Sequence, residues 1–367
     1  MLPLKSKIVL FPYWAALKIR HFLYDRNLKK SISYPVPVIC IGNITVGGTG
    51  KTPHTELLIR LLRDQYKVAV LSRGYKRKTK GFRIARVSDG FEQVGDEPLQ
   101  IKQKFPDILV AVCGERQEGI EKLLALPETG EEPGLYRPEL IILDDAYQHR
   151  KVTPSHSVVL MNYNNPIFRD NLLPLGRLRD LPEQVRRAES VVISKSPVFG
   201  ESDGIIDEKK ALEQVEKEAV LWRKKLELRP EQKLYFSIIT YGSPLPVFYG
   251  EGDNRYIYSR RAVYFTGIAN DREFRDNILG SHTILDSIKF EDHRNFTKGD
   301  AARINHLAKK YPMAVIFTTE KDSKRLISNK WLSKEVRKRL FYIPIEVQII
   351  PHVKQNEFSR CVALFRK

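Results

Sequence analysis

A glycine-rich run at residues 41–53 places the strongest constraint on what this chain can fold into. It follows an apolar, strand-like stretch, precedes a helical pattern, and ends in Gly50, Lys51, Thr52 and Pro53. Glycines let backbone N–H groups turn towards phosphate oxygens, the lysine can reach the β- and γ-phosphates, and the next hydroxyl can ligate Mg²⁺. The run therefore predicts a phosphate-binding loop, or P-loop, whose nucleotide-binding residues are Thr45, Val46, Gly47, Gly48, Thr49, Gly50, Lys51 and Thr52.

One position departs from the strict P-loop pattern, which has glycine where this chain has Thr45. The neighbouring pair Gly47 and Gly48 restores the backbone freedom that the pattern needs. The alternative is a glycine-rich turn followed by a chance Gly-Lys-Thr. The strand before the run and the helix after it favour the P-loop.

Two adjacent acids, Asp144 and Asp145, come directly after a second apolar stretch at 140–143. Ligands of open α/β sheets bind at the carboxyl ends of the strands, and a P-loop needs a carboxylate there for its metal ion. We therefore expect Asp144, Asp145 and the hydroxyl of Thr52 to form the Mg²⁺ site. An acidic turn between strand and loop is the alternative.

Short runs rich in valine and isoleucine alternate with helical patterns along most of the chain. This alternation predicts an α/β fold with a doubly wound parallel sheet. A second set of strands and helices between 262 and 318 indicates a further α/β unit, joined to the first near 237–247. The charged stretch 207–229 predicts a solvated surface helix. The strands of the first unit are predicted at 36–42, 67–72, 107–113, 140–143, 157–161 and 191–194.

The strongly positive net charge of the chain indicates a polyanionic partner. Its 367 residues include 62 Lys and Arg against 44 Asp and Glu, a formal net charge of +18. Nucleic acid, an anionic membrane surface and a phosphorylated substrate all suit such a balance. The three cysteines are too few and too far apart for a disulfide framework or a thiolate metal site, which indicates a reducing compartment.

Residues 1–30 combine an apolar run with seven Lys and Arg and one acid. The uninterrupted apolar run, 8–17, is shorter than the roughly 20 residues that span a bilayer. Aromatic rings with a basic rim are typical of a helix that lies in the membrane interface. A helix packed on the domain core is the alternative.

Eight motifs in a fixed order indicate a narrower class of protein than a phosphate-binding protein in general. Together they closely resemble the tetraacyldisaccharide 4′-kinase family, from about residue 8 to 350. The P-loop with its Thr-Pro ending and the Asp-Asp-aromatic-Gln-His run are the most specific of them. The motifs lie at 46–53, 72–75, 95–98, 144–149, 173–180, 265–270, 290–293 and 319–322.

The resemblance implies a kinase that transfers the γ-phosphate of ATP to the 4′-hydroxyl of a tetraacylated disaccharide 1-phosphate, giving lipid IVA. It also implies Mg²⁺, a peripheral position at the cytoplasmic face of a Gram-negative inner membrane, an anionic membrane surface as partner, and neither nucleic acid nor an obligate protein partner.

The family fold is a P-loop domain with a smaller α/β lobe on a two-stranded linker. Here that implies a membrane-contact helix at 1–30, a kinase domain at 31–238 and a lobe at 239–343, with 344–367 returning to the kinase domain. The linker strands are expected near 235–240 and 342–347.

The catalytic roles are likewise implied by the resemblance. The general base is Asp96, assisted by His293 from the second lobe, while Lys51 and Arg116 contact the transferring phosphate. From spacing alone, 95–98 predicts only a turn and His293 only a surface or cap residue. The site is further lined by Tyr75, Glu97 and His149, the last of which has an equally weighted structural alternative.

Some positions differ from the family pattern. Ala146 replaces a glycine, Asp180 a longer acid, Ala269 a glycine and Arg294 a histidine. None of these changes removes a predicted phosphate ligand or the predicted base. The role of Asp180 is left open.

Two other function classes are alternatives. A P-loop regulatory or RNA-binding protein is favoured by seven cations without an acid at 73–86, but no recognisable RNA-binding signature accompanies them. A metallochaperone-type GTPase would carry a closely spaced Cys/His cluster, which the scattered cysteines do not provide. Anionic phospholipid and a phosphorylated glycolipid explain the charge better than nucleic acid does.

Overall fold

The computed structural model describes residues 4–128, 134–202, 205–268, 270–291, 295–327 and 329–363. The helices are α1 (Leu4–Asp25), α2 (Lys51–Leu62), α3 (Phe91–Val94), α4 (Asp96–Lys104), α5 (Arg116–Leu124), α6 (Glu208–Leu226), α7 (Arg272–Leu279), α8 (Lys298–Lys310), α9 (Glu320–Leu326), α10 (Lys334–Arg339) and α11 (His352–Ala363). The strands are β1 (Val38–Asn43), β2 (Val68–Ser72), β3 (Arg83–Ile84), β4 (Leu109–Val112), β5 (Leu140–Asp144), β6 (His156–Asn162), β7 (Ser190–Ser194), β8 (Glu201–Ser202), β9 (Ile205–Ile206), β10 (Lys233–Tyr241), β11 (Leu245–Pro246), β12 (Arg261–Thr266), β13 (Thr283–Lys289), β14 (Val315–Thr319), β15 (Leu340–Ile343) and β16 (Ile345–Ile350).

The larger sheet has, within the described residues, nine strands in the order β16-β10-β7-β6-β1-β5-β2-β4-β3. Its inner pairs are parallel, and only the outer pairs β10–β16 and β3–β4 are antiparallel. The strands are buried on both faces, which explains their nearly continuous apolar sequences. This sheet confirms the predicted doubly wound α/β class, including all six strands that the sequence predicts.

The central strands bring the predicted site together. β1 lies between β5 and β6, and Ile41 of β1 is in register with Asp144 of β5. β5 in turn pairs with β2, with Leu71 opposite Leu143. Because the strands are parallel, the P-loop, the Asp144–Asp145 pair and the end of β2 at Ser72 emerge at one edge of the sheet.

A smaller sheet, ordered β11-β15-β14-β12-β13, forms the second lobe. The chain leaves the larger sheet after β10 and returns between β15 and β16. The two crossings touch, since the Gly242 N–H donates to the Pro344 carbonyl over 2.9 Å. The predicted linker strand near 342–347 is thus two strands, because Pro344 separates β15 in the smaller sheet from β16 in the larger.

β16 and α11 complete the larger lobe from the end of the chain. Val347, Ile349, Phe358 and Val362 are buried in the same apolar cluster as the residues of α2. The prediction of a solvated helix at 207–229 is correct for one face only. The other face of α6 buries Ala211, Val215, Trp222 and Leu226.

Helix α1 lies along the larger lobe with two different faces. Leu10 and Leu17 are buried in the apolar core of that lobe. Phe11, Trp14 and Phe22 are 60, 41 and 53% exposed, and their spacing of three and eight residues puts them on one side of the helix. Among the described helices, none is both long and apolar enough to cross a membrane.

Candidate active site

The P-loop connects β1 to α2 through two left-handed glycines. Gly47 has φ 101° and Gly50 has φ 81°, and Gly50 caps the helix that begins at Lys51. The side chain of Asn43, the last residue of β1, donates to the Thr49 hydroxyl over 2.8 Å. The loop therefore has a defined shape around the N-terminus of α2, where backbone N–H groups favour an anion.

A buried histidine supports the same loop from below. His54 bonds to the Gly50 carbonyl through Nδ1 (2.7 Å) and to the Ser237 hydroxyl of β10 through Nε2 (2.9 Å). Burial lowers the pKa of His54 to about 4, so the ring is neutral and donates from Nδ1 to the carbonyl. This tether joins the P-loop to the strand that leads into the second lobe, and no motif in the sequence predicts it.

The segment Arg177–Arg179 lies against the P-loop like a short strand. The Val46 N–H donates to the Arg177 carbonyl over 2.7 Å, and the Arg179 N–H donates to the Ile44 carbonyl over 2.9 Å. These contacts explain why the 173–180 motif accompanies the P-loop.

Arg179 joins that segment to the acidic pair. Its guanidinium forms an ion pair with Asp145 and donates to the Asn43 side chain and carbonyl. Arg179 is not among the predicted site residues, although it lies within the 173–180 motif. The neighbouring Asp180, whose role was left open, is buried against His21 of α1 at 2.6 Å.

Asp144 and Asp145 occupy contrasting environments. Asp144 is 4% exposed and accepts hydrogen bonds from the hydroxyls of Thr55 (3.0 Å) and Ser72 (3.2 Å). Burial, reinforced by the negative charges of Asp145 and Glu97, raises its pKa to about 6.

Burial acts to raise the pKa of Asp145 as well. The cations Lys51 and Arg179 outweigh burial, so the net shift of the Asp145 pKa is downward. The Lys51 Nζ lies 3.8 Å from an Asp145 oxygen. The P-loop lysine and the acidic pair are thus brought together as the motif spacing predicts.

Asp96 and Glu97 begin α4 beside the end of β2. Gly95 and Gly74 pack backbone to backbone, and a Cβ added to Gly95 would lie 3.2 Å from the Gly74 backbone. Both glycines have positive φ, 94° and 68°. This close approach links the 72–75 and 95–98 motifs, and it puts Glu97 near enough to Asp144 to affect its pKa.

Asp96 is 9% exposed and forms an ion pair with Arg325 of the second lobe. Its predicted partner, His293, lies outside the described residues.

The remaining predicted residues differ in their placement. Arg116 is 2% exposed and donates to the backbone carbonyls of Cys113 (2.6 Å) and Asp144 (3.4 Å). It braces the end of β5 in this structure, so its contact with the transferring phosphate stays a prediction.

Burial, with the cations Arg116 and Arg73 nearby, lowers the pKa of His149 to about 4, and its ring is therefore neutral at pH 7. Tyr75 is 57% exposed at the rim, with the Lys76 ammonium 5.7 Å from its ring centre.

Comparisons with known proteins point to one enzyme family. The family model described as LpxK, tetraacyldisaccharide-1-P 4′-kinase, matches residues 7–363. Curated tetraacyldisaccharide 4′-kinases of Phocaeicola vulgatus and Flavobacterium johnsoniae are 39 and 37% identical to this chain. The first alignment covers 97% of this chain and 93% of the relative, and the second covers 96 and 95%.

The fold has a solved counterpart. The crystal structure of LpxK from Aquifex aeolicus in complex with ATP matches with a TM-score of 0.69 over 98% of both chains, at 24% identity. That likeness confirms the predicted fold class. Together with the relatives and the family model, it leads to one identification: the chain belongs to the LpxK family of tetraacyldisaccharide-1-phosphate 4′-kinases.

Proposed function

We propose that this chain transfers the γ-phosphate of ATP to the 4′-hydroxyl of a tetraacylated disaccharide 1-phosphate, giving lipid IVA in lipid A biosynthesis. The observation that carries the proposal is the family match over residues 7–363. The matched range includes the P-loop and the motifs at 95–98 and 144–149. The named activity of the curated relatives and the ATP of the Aquifex structure support it. The family match does not favour the RNA-binding alternative.

The P-loop residues Thr45 to Thr52 would hold the nucleotide phosphates. The start of α2 presents unpaired backbone N–H groups, the left-handed glycines give the loop before it its shape, and Lys51 adds a cation there. Arg179, which already faces Asp145, would compensate negative charge beside the phosphates. Because phosphoryl transfer passes through a loose transition state that leaves the protein little covalent chemistry to do, positioning and electrostatic stabilisation carry most of the catalysis.

The acidic pair fits a magnesium ion. Asp144 is a buried carboxylate whose pKa is raised by burial and two neighbouring acids, so a divalent cation would relieve its environment. No group of three or more His, Cys, Asp or Glu among the described side chains could hold a metal by itself. Mg²⁺ commonly takes one or two carboxylates and completes its shell with water and substrate phosphates. We infer that Asp144, Asp145 and Thr52 would hold it, and that it would neutralise charge on the transferring group.

Asp96 would accept the proton of the 4′-hydroxyl, assisted by His293. Its place at the start of α4, next to Glu97 and across from the second lobe, suits a base that meets substrate between the lobes. Tyr75, Glu97 and His149 would line the substrate and nucleotide side of the cleft. Arg116 would act on the phosphate or, as its contacts favour, by bracing Asp144.

The exposed face of α1 would rest on an anionic membrane at the cytoplasmic side of the inner membrane. Phe11 and Trp14 stack with ring centres 5.9 Å apart, and Lys18 lies over the Trp14 ring. Rings at headgroup depth and cations above them suit anionic phospholipid. Residues 1–30 would then be the membrane-contact element, 31–238 with 344–367 the kinase domain, and 239–343 the smaller lobe.

The experiment is an assay of purified protein with Mg-ATP and radiolabelled tetraacyldisaccharide 1-phosphate in detergent micelles. We expect a bis-phosphorylated product. Asp96→Asn should lower kcat on the order of 10²-fold or more, because it removes a general base, while ATP binding changes little. Absence of product from the parent would overturn the function, and an active Asp96→Asn would overturn the base.

A further inference from the structure

A row of ion pairs joins the two lobes along helices α4 and α9. Asp96 pairs with Arg325, Glu97 with Lys321 at 3.9 Å, and Lys104 with Glu320 at 3.6 Å. The charges are arranged oppositely at the two ends of the row. The first lobe supplies the acids Asp96 and Glu97 at one end and Lys104 at the other. This pattern fixes the direction in which α9 lies on α4.

The Asp96–Arg325 pair is the most buried of these contacts. The side chains are 11 and 1% exposed, and the residues are 229 positions apart in the chain. Arg325 donates from Nε to Oδ1 over 3.0 Å and from Nη2 to Oδ2, so its planar fork binds both carboxylate oxygens. A bidentate pair of this kind fixes the carboxylate in direction as well as in charge.

Arg325 is itself held by its own lobe. Its Nη1 lies 3.9 Å from Asp322, whose other oxygen accepts from the Gly267 N–H (2.8 Å) and the Thr319 hydroxyl (2.7 Å). Thr319 caps α9. The 319–322 motif thus holds the guanidinium that reaches the other lobe. Nucleotide binding alone gives no reason for this motif, because none of the proposed nucleotide-binding residues belongs to it.

We propose that Arg325 is the positioning residue of Asp96, and that Asp96 is an oriented, ionised base only while α9 is docked on α4. The proposal rests on the proposed role of Asp96 as the base. A carboxylate has about four lone-pair sites, which is more than the two donors of the fork use, so a carboxylate held in this way can still act as a proton acceptor. Docking of the smaller lobe and competence for proton transfer would then be one event.

The charged groups around Asp96 give the expected effect of pH. Arg325 and Lys321 on α9 favour the ionised carboxylate, whereas Glu97 on α4 and Asp322 on α9 oppose it. Loss of the adjacent guanidinium should raise the pKa of the base by about 1 unit or more. The acid limb of kcat/KM should move to higher pH by the same amount.

The test compares Arg325→Met and Arg325→Lys with the control Glu320→Gln, which removes another interlobe pair and leaves Asp96 untouched. We expect Arg325→Met to lower kcat at pH 7 on the order of 10²-fold, with ATP affinity nearly unchanged and the acid limb displaced. Arg325→Lys should return the limb towards its parental position, yet leave kcat about tenfold low because an ammonium has no fork. Glu320→Gln should keep kcat within about twofold, because Lys104 retains its 2.7 Å pair with Glu56 and the amide can still accept a hydrogen bond.

Two further outcomes keep the inference separate from the proposed function. In an Asp96→Asn background, Arg325→Met should cause no additional loss of kcat, because the two residues act as one unit. If Asp96→Asn is inactive but Arg325→Met keeps the parental kcat and pH profile, the inference about Arg325 is overturned and the proposed function stands. Equal losses in Glu320→Gln and Arg325→Met would overturn it too, since lobe docking in general would then be responsible. If Arg325→Met unfolds, the kcat and pH limb of Arg325→Lys decide the matter.

Discussion

Two adjacent aspartates, Asp144 and Asp145, have opposite pKa shifts. Asp144 lies at the end of β5 among hydroxyls and acids, and its pKa is raised from 3.8 to about 6. Asp145 faces Lys51 and Arg179, and these cations overcome the effect of burial and lower its pKa. The ionised form of Asp144 therefore opposes folding, whereas that of Asp145 favours it.

We expect Asp144→Asn to raise the melting temperature at pH 7.5 without metal or nucleotide by at least about 2 °C, while abolishing kinase activity. The folded state binds the Asp144 proton more tightly than the unfolded state, so this residue makes the parent lose stability as pH rises from about 4 to 6. The asparagine does not ionise, so the variant keeps this stability at high pH. Its melting temperature should no longer exceed that of the parent below about pH 4. Thermal unfolding across pH measures both effects.

Asp145→Asn is the matched control and should lower the melting temperature at pH 7.5, since it breaks the pairs with Lys51 and Arg179. Mg-ATP should narrow the difference between Asp144→Asn and the parent, because the cation relieves the buried charge. A lower melting temperature for Asp144→Asn without ligand would contradict the raised pKa.

At the scale of elements, the start of α4 depends on the contact between Gly74 and Gly95. Each glycine has positive φ, and each would bring a Cβ against the backbone of the other turn. The turn after β2 and the first residues of α4 therefore move together. Asp96 and Glu97 are carried by that contact.

We expect Gly95→Ala to destabilise the protein by about 1–3 kcal/mol and to reduce kcat more than tenfold, because backbone strain and the new methyl group displace Asp96. Gly81→Ala is the control: Gly81 has φ 69°, but a Cβ there meets nothing within 4 Å. It should cost about 1 kcal/mol and leave kcat unchanged. Denaturant unfolding and the lipid kinase assay separate the two effects, and equal losses of kcat would refute the role of the contact.

At the scale of the whole molecule, the net charge of +18 and the exposed apolar face of α1 both suit the proposed partner, an anionic membrane surface. The inner face of α1 is held by the Leu10 and Leu17 contacts and by the His21–Asp180 bond, one residue from Arg179. The two alternatives for this helix are therefore compatible. One face packs on the core, and the other is free to meet a surface.

The double variant Phe11→Ser with Trp14→Ser should weaken binding to vesicles containing phosphatidylglycerol by about tenfold or more, since two rings lose apolar burial. Trp331→Ser is the control, because Trp331 is 52% exposed on the smaller lobe. Raising NaCl from about 50 to about 500 mM should weaken the parent, as the charges are screened. Co-sedimentation measures each affinity, and parental binding by the double variant would contradict the proposed membrane role of α1.

Local sequence determined the elements and the chemistry of their ends. The apolar runs, the P-loop and the Asp144–Asp145 pair were all predictable, because a buried parallel strand and a helix N-terminus each impose their pattern over a few neighbouring residues. The site roles of Asp96 and His293 came from family resemblance, since 95–98 by itself predicts only a turn.

Tertiary structure alone decided the partners of those residues. Arg179 meets Asp145 from 34 positions away, His54 meets Ser237 from 183, and Arg325 meets Asp96 from 229. The same holds for Pro344, which divides one predicted linker strand between two sheets. Such contacts depend on strand order and on how the lobes dock. The periodicity of a sequence predicts neither strand order nor lobe docking. It indicates which face of an element is buried, but not which other element packs against that face.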